Sequence, residues 1–152
     1  MTPSPAKTEL DLEHFLPYRL SVLSNRISQA IARIYADRFD MTITEWRVMA
    51  VLGRSAGVSA NEVADRTAMD KVAVSRAVSR LIDTGYVERV MAAGDRRRSR
   101  LSLSAAGRRV HAKVVPLALE LERKLLSSLD ADDHIRLDKL LDKLGGSLAQ
   151  LS

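Results

Sequence analysis

Between Asp70 and Gly85 the apolar residues Val74, Ala77, Val78, Leu81 and Ile82 recur at intervals of three and four, so one face of a helix collects them. Lys71, Ser75, Arg76, Ser79 and Arg80 fall largely on the opposite face. Asp70 supplies an N-cap and Gly85 a stop. Just upstream, Ser59 with Glu62 three residues on has the spacing of a capping box and opens a second, shorter helix. The link Ala68-Met69 between the two helices leaves room only for a tight corner. Downstream, Tyr86–Met91 and Arg100–Leu103 read as two strands, joined by Ala92-Ala93-Gly94-Asp95 and a run of arginines.

The flanks carry a different pattern. Leu16, Leu20, Leu23, Ile27, Ala30 and Ile34 are spaced alternately four and three apart, a heptad-like stripe that ends near Phe39-Asp40. Beyond the hairpin, Ser104 caps a helix expected to run through Leu117, Leu121, Leu125 and Leu129, with Pro116 bending it. A last helix starts at Asp130 and carries Leu137, Leu141, Leu144 and Leu148. The expected fold is therefore mainly α with a small β-hairpin wing. These end helices hold more apolar surface than one small lobe covers. Either they form a bundle within the chain, or they join two copies; a two-fold dimer is favoured.

Composition narrows the class. At 152 residues the chain forms one compact domain or a small domain elaborated by extra helices, and 4% aromatic residues suit a helical protein. With no Cys there is no disulfide, thiolate ligand or cysteine redox sensor. No apolar run is long enough to span a bilayer, residues 1–9 read as a disordered terminus without signal-peptide blocks, and a cytoplasmic location is expected. His14, His111 and His134 are isolated, and no glycine loop of the nucleotide-binding kind appears, so an enzyme is not expected and no cofactor is called for. A metal-responsive regulator using His111, His134 and nearby carboxylates is one alternative, and a winged-helix module for protein contacts or unspecific DNA architecture is another.

Charge points to the partner. The net charge is +5, but Lys71 to Lys113 hold eleven Lys/Arg against three acids, a local balance of +8, and the rest of the chain is at −3. A basic excess confined to one segment attracts phosphates and releases counterions. Placed on a hairpin directly after a polar-faced helix, Arg96, Arg97, Arg98 and Arg100 fit a basic finger beside a helix lying in the major groove of double-stranded DNA.

Thr42-Ile43-Thr44-Glu45-Trp46-Arg47-Val48-Met49, the segments 59–68 and 70–85, and the wing from Asp95 to Gly107 together resemble the MarR family of bacterial transcription regulators. The wing fits that family's D-x-R-x-x-x-L-x-L-[ST]-x-x-G pattern at Asp95, Arg97, Leu101, Leu103, Ser104 and Gly107. The resemblance implies a homodimer with intertwined helices from 10–40 and 108–152 and two winged helix-turn-helix lobes from 41–107. It implies a repressor of a palindromic operator, released by a small aromatic carboxylate or phenol. The DNA-contact candidates are Lys71, Ser75, Arg76, Ser79 and Arg80 on the helix and Asp95, Arg96, Arg97 and Arg98 on the wing. Arg76 suits bidentate contact with a guanine, Lys71 and Arg80 suit base or phosphate, and Arg97 suits the minor groove with Asp95 holding its guanidinium. By the same resemblance Arg19 would pair an effector's carboxylate, with Tyr18, His14, Trp46, Met49 and His111 as walls.

Overall fold

A computed structural model describes residues 9–92 and 95–152, leaving aside the side chains of 92–98. Among the described residues six α-helices and one hairpin follow in the order α1 (Leu16–Phe39), α2 (Ile43–Arg54), α3 (Ala60–Thr67), α4 (Lys71–Asp83), β1 (Val87–Ala92), β2 (Asp95–Leu103), α5 (Ala105–Leu125) and α6 (Ala131–Ser147). Short 3₁₀ turns, Leu126–Ser128 and Leu148–Gln150, follow α5 and α6. The mainly helical fold with a two-stranded wing is thus as the hydrophobic pattern predicts.

Local chemistry sets most boundaries. α2 and α3 open on reciprocal capping boxes, Thr42 with Glu45 and Ser59 with Glu62, each side chain satisfying the other residue's backbone N–H. Asp70 caps α4 by accepting from the Ala73 N–H at 3.0 Å. At the far end of α4, Gly85 takes φ +82°. Its N–H reaches the Ile82 carbonyl and the Tyr86 N–H the Leu81 carbonyl, the paired bonds of a Schellman stop that favours glycine. Asp130 and Asp133 form the capping box of α6.

Two compact units divide the chain, residues 1–110 and 111–152. In the first, Val48, Met49, Leu52, Val63, Val74, Val78, Leu81, Val87, Leu101 and Leu103 make one core from α2, α3, α4 and both strands. α1 belongs to this unit and packs on α2, with Tyr35 buried against it. Most of the α1 stripe stays uncovered within the chain: Leu16, Leu20 and Leu23 are all exposed. In the second unit α6 buries none of its residues, and Leu137, Leu140, Leu141 and Leu144 all face solvent.

Three expectations change. β2 begins at Asp95, so Arg96, Arg97 and Arg98 lie in the strand and not in the connecting turn. The pairing Val90↔Arg100 and Met91↔Ser99 shifts between Met91 and Ala92, where Ala92 opposes Asp95. Second, α5 stops at Leu125; Leu129 lies beyond it in extended backbone, because Asp130 must adopt a cap conformation to start α6. Third, α6 ends at Ser147, and Leu148 opens the 3₁₀ turn. Pro116 sits inside α5. The expected disorder of 1–9 falls mostly outside the described residues.

Candidate nucleic-acid interface and effector cleft

α4 is amphipathic in the way its sequence requires. Val74, Ala77, Val78 and Leu81 are buried, and Lys71, Val72, Ser75, Arg76, Ser79 and Arg80 are exposed. α3 and α4 meet at a corner made by Ala68, which takes φ +52° and closes onto Ala64 and Asp65. The helix pair therefore leaves the outer face of α4 open, with Lys71, Arg76 and Arg80 as its cations and the shorter Val72, Ser75 and Ser79 between them.

The wing is tied to the same lobe. Leu101 and Val58 exchange backbone hydrogen bonds through Gly57 N to Leu101 O and Leu101 N to Val58 O, both 2.8 Å. Arg100 Nη1 donates to the Gly57 carbonyl at 3.2 Å, which makes this arginine a brace between the wing and the loop after α2. At the wing's base the Ser104 hydroxyl accepts from Gly107 N at 2.9 Å and donates to Gly85 O, while Ser104 N donates to Tyr86 O. The predicted cap on α5 is thus present, and it also locks the wing onto the end of α4. The backbones of Asp95, Arg96, Arg97 and Arg98 run in β2; their side chains, and so the contact expected between Asp95 and Arg97, lie outside the described residues.

Arg80 has partners within the chain. Its Nε lies 3.2 Å from Glu45 Oε1 and its Nη2 3.7 Å from Asp40 Oδ2. Glu45 is almost fully buried, and the same side chain completes the capping box of α2. Sequence reading missed Glu45 and Asp40 as supports of α4. The Thr42–Glu45 spacing signals a helix start, but nothing local signals a pairing with a residue so far along the chain.

The proposed effector residues do not gather in one place. Trp46 lines a cleft of about 360 Å³ between α1 and α2, with Leu20, Ile27, Ile31, Tyr35 and Ile43 as apolar walls and Ser24, Ser28 and Arg47 as polar ones. There Arg47 Nη2 donates to Ser28 Oγ at 3.3 Å, and Trp46 packs on Tyr35 with ring centres 5.7 Å apart. Burial pushes the Tyr35 hydroxyl above its ordinary pKa. Tyr18 and Arg19 line a separate groove on α1 with Glu13, Leu16, Val22 and Arg26. His14 is exposed, with Nδ1 2.8 Å from Asp11 Oδ2. Met49 is fully enclosed in the core, because it sits on the inner face of α2 beside Val48 and Leu52. His111 belongs to the second unit. Among the described residues no three His, Asp or Glu side chains converge as metal ligands. No described helix is long and apolar enough to cross a membrane.

The MarR family model matches residues 39–98, the stretch from the end of α1 to the wing arginines. The transcriptional regulator BilQ of Clostridium symbiosum is 33% identical over 94 residues, covering 62% of this chain and 65% of that protein, just under two thirds of its length. Over the whole fold, the crystal structure of a MarR/EmrR family regulator from Acinetobacter sp. ADP1 superposes with a TM-score of 0.86, at 26% identity across 93% of this chain and 99% of that one. A mutant of MarR from E. coli complexed with operator DNA gives a TM-score of 0.77 at 25% identity, covering 90% of this chain and 99% of that one. The Clostridium and Acinetobacter proteins are both transcriptional regulators. With α3, α4 and the wing in the order and spacing described, the chain resembles MarR-family regulators across the winged lobe and is similar to them in fold over nearly its whole length.

Proposed function

We propose that the protein is a cytoplasmic repressor that binds a palindromic operator as a homodimer, with α4 in the major groove and the wing in the adjacent minor groove. The observation that carries this reading is the outer face of α4, where Lys71, Ser75, Arg76 and Ser79 stand exposed on a helix whose other face is sealed into the core. Arg76 reads a guanine edge, Lys71 meets phosphate, and Ser75 and Ser79 allow close approach. Arg97 enters the minor groove, supported by Asp95, with Arg96 and Arg98 on phosphates. Arg80 contributes chiefly by bracing α4 through Glu45. The exposed leucines of α1 and α6 support dimerisation through both ends of the chain, 10–40 and 108–152, around a winged lobe of 41–107.

Selection of bound duplexes from a random pool tests the reading. The expected result is one inverted repeat, bound by a dimer in sedimentation analysis, with Arg76→Ala losing most of its preference over random DNA. Binding that ignores sequence would refute it. For release, a small aromatic carboxylate or phenol in the α1–α2 cleft is the effector this reading calls for. Its ring would lie against Trp46 and Ile31, with Arg47 as the cation for its anionic group; Arg19, which lines the other groove on α1, would be that cation only for a ligand bound there. Calorimetric titration with benzoate and cinnamate analogues, on wild type, Arg19→Ala and Arg47→Ala, decides between those arginines. The effector assignment falls if no analogue binds wild type.

A further inference from the structure

We propose that Val72 is a specificity-determining residue, whose isopropyl group packs against the 5-methyl of a thymine in each half-site. The inference rests on α4 being the helix that enters the major groove. At 3.6 residues per turn, Val72 projects opposite the mean direction of Val74, Ala77, Val78 and Leu81, and so lies near the centre of the outward face. It is 57% exposed, in the first turn of α4, where recognition helices meet base edges. Its neighbours on that face are Ser75, Arg76 and Ser79. The serines are too short to overshadow it.

A lone exposed aliphatic residue is ordinary on a protein surface, so exposure alone decides nothing. The address does. Val72 forms helix less readily than alanine and leaves more than half of its surface exposed within the chain, so folding gives only a weak reason for its size. Its χ1 is stiff in a helix, which presents both methyls with little freedom left to lose on binding. It cannot donate or accept a hydrogen bond, and the one apolar feature on a major-groove base edge is the thymine methyl. Asp70, capping onto the Ala73 N–H at 3.0 Å, holds the turn that carries it.

Uracil differs from thymine only by that methyl. Each thymine of the selected operator is replaced singly by uracil, and affinity is measured by fluorescence anisotropy for wild type and Val72→Ala. One symmetry-related thymine pair should weaken wild type about four-fold per half-site, the worth of one buried methyl group. The same replacement should leave Val72→Ala unchanged. Val72→Ala should melt at the wild-type temperature or slightly above, since alanine is the better helix former. If no uracil position weakens wild type, or if Val72→Ala loses equally at that position, the inference is overturned while sequence-selective binding stands. If no sequence-selective binding exists at all, the recognition-helix reading fails first and takes this inference with it.

Discussion

Replacing Gly107 by alanine should be far more damaging than its place in the first turn of a helix implies. A Cβ on Gly107 would stand 2.0 Å from the Tyr86 carbonyl oxygen and 2.9 Å from its carbon, whereas real Cβ contacts essentially never fall below 3.0 Å. Relief requires the start of α5 and the start of the wing to separate by about 1 Å, and both are backbone. Ser104 resists that separation from two sides, through Gly107 N at 2.9 Å and through the Gly85 and Tyr86 carbonyls. Losing two of these bonds costs about 1–3 kcal/mol, and forcing atoms into packed backbone costs another 1–3 kcal/mol or so. Together these come to about 2–6 kcal/mol, alanine's better helix propensity offsets up to about 1 kcal/mol, and the middle of the resulting range is a net destabilisation of about 2–4 kcal/mol, a large share of a domain's usual stability of roughly 5–15 kcal/mol. For a chain of this length that is a fall in Tm of about 5–15 °C. The assay is thermal unfolding by circular dichroism at fixed protein concentration, so that any dimer equilibrium is held constant. Gly145→Ala is the control, because nothing lies within 4 Å of its added Cβ; it should gain up to about 1 kcal/mol. A Gly107→Ala protein that melts within about 2 °C of wild type would refute the argument.

Two further outcomes follow from the α1–α2 region. Tyr35 is buried and its hydroxyl pKa raised, so the folded state resists its ionisation. Its contribution to stability is full below the ordinary tyrosine value of about 10 and is lost as pH rises from there through the folded-state value. The difference between the spectrophotometric titrations of wild type and Tyr35→Phe should therefore show a phenol ionising above the ordinary value of about 10, and Tyr35→Phe should flatten the alkaline fall in stability; a difference centred at or below that value would contradict this. Second, Glu45→Gln keeps a residue that can complete the capping box but removes the charge facing Arg80. A double-mutant cycle of Glu45→Gln with Arg80→Ala should show a coupling of about 1 kcal/mol in urea unfolding. Strict additivity would mean that the ion pair does not brace α4.

What the sequence made legible was local, and the reason is physical. α3 and α4 declare themselves because a cap, a 3.6-residue period and a stop all fall within a few residues of one another. The same locality explains the errors. Leucines four apart run from Leu117 to Leu129 without interruption, yet Asp130 needs extended backbone to cap α6, and that demand ends α5 at Leu125. The wing arginines look like turn residues by their polarity, but strand pairing is a property of the backbone and carries β2 back to Asp95. Gly107 stands in the wing pattern with no visible purpose until Tyr86 is placed against it.

Arg80 shows where periodicity stops being informative. A helical wheel fixes the direction in which a Cβ leaves the backbone, and by that measure Arg80 shares the outward face with Arg76. Its guanidinium, however, sits at the end of a long flexible stem and turns aside to Glu45 and Asp40. Asp40 is available because α1 ends there with φ +47°, and Glu45 because it is the third residue of α2. Neither position can be inferred from α4 alone. For Val72, Ser75 and Ser79 the situation reverses: their side chains are too short to reach any other element, so the wheel settles where they point. The face of α4 should therefore be read in two parts, short residues whose place on the wheel fixes where they point, and long cations whose partners elsewhere in the chain must be known first.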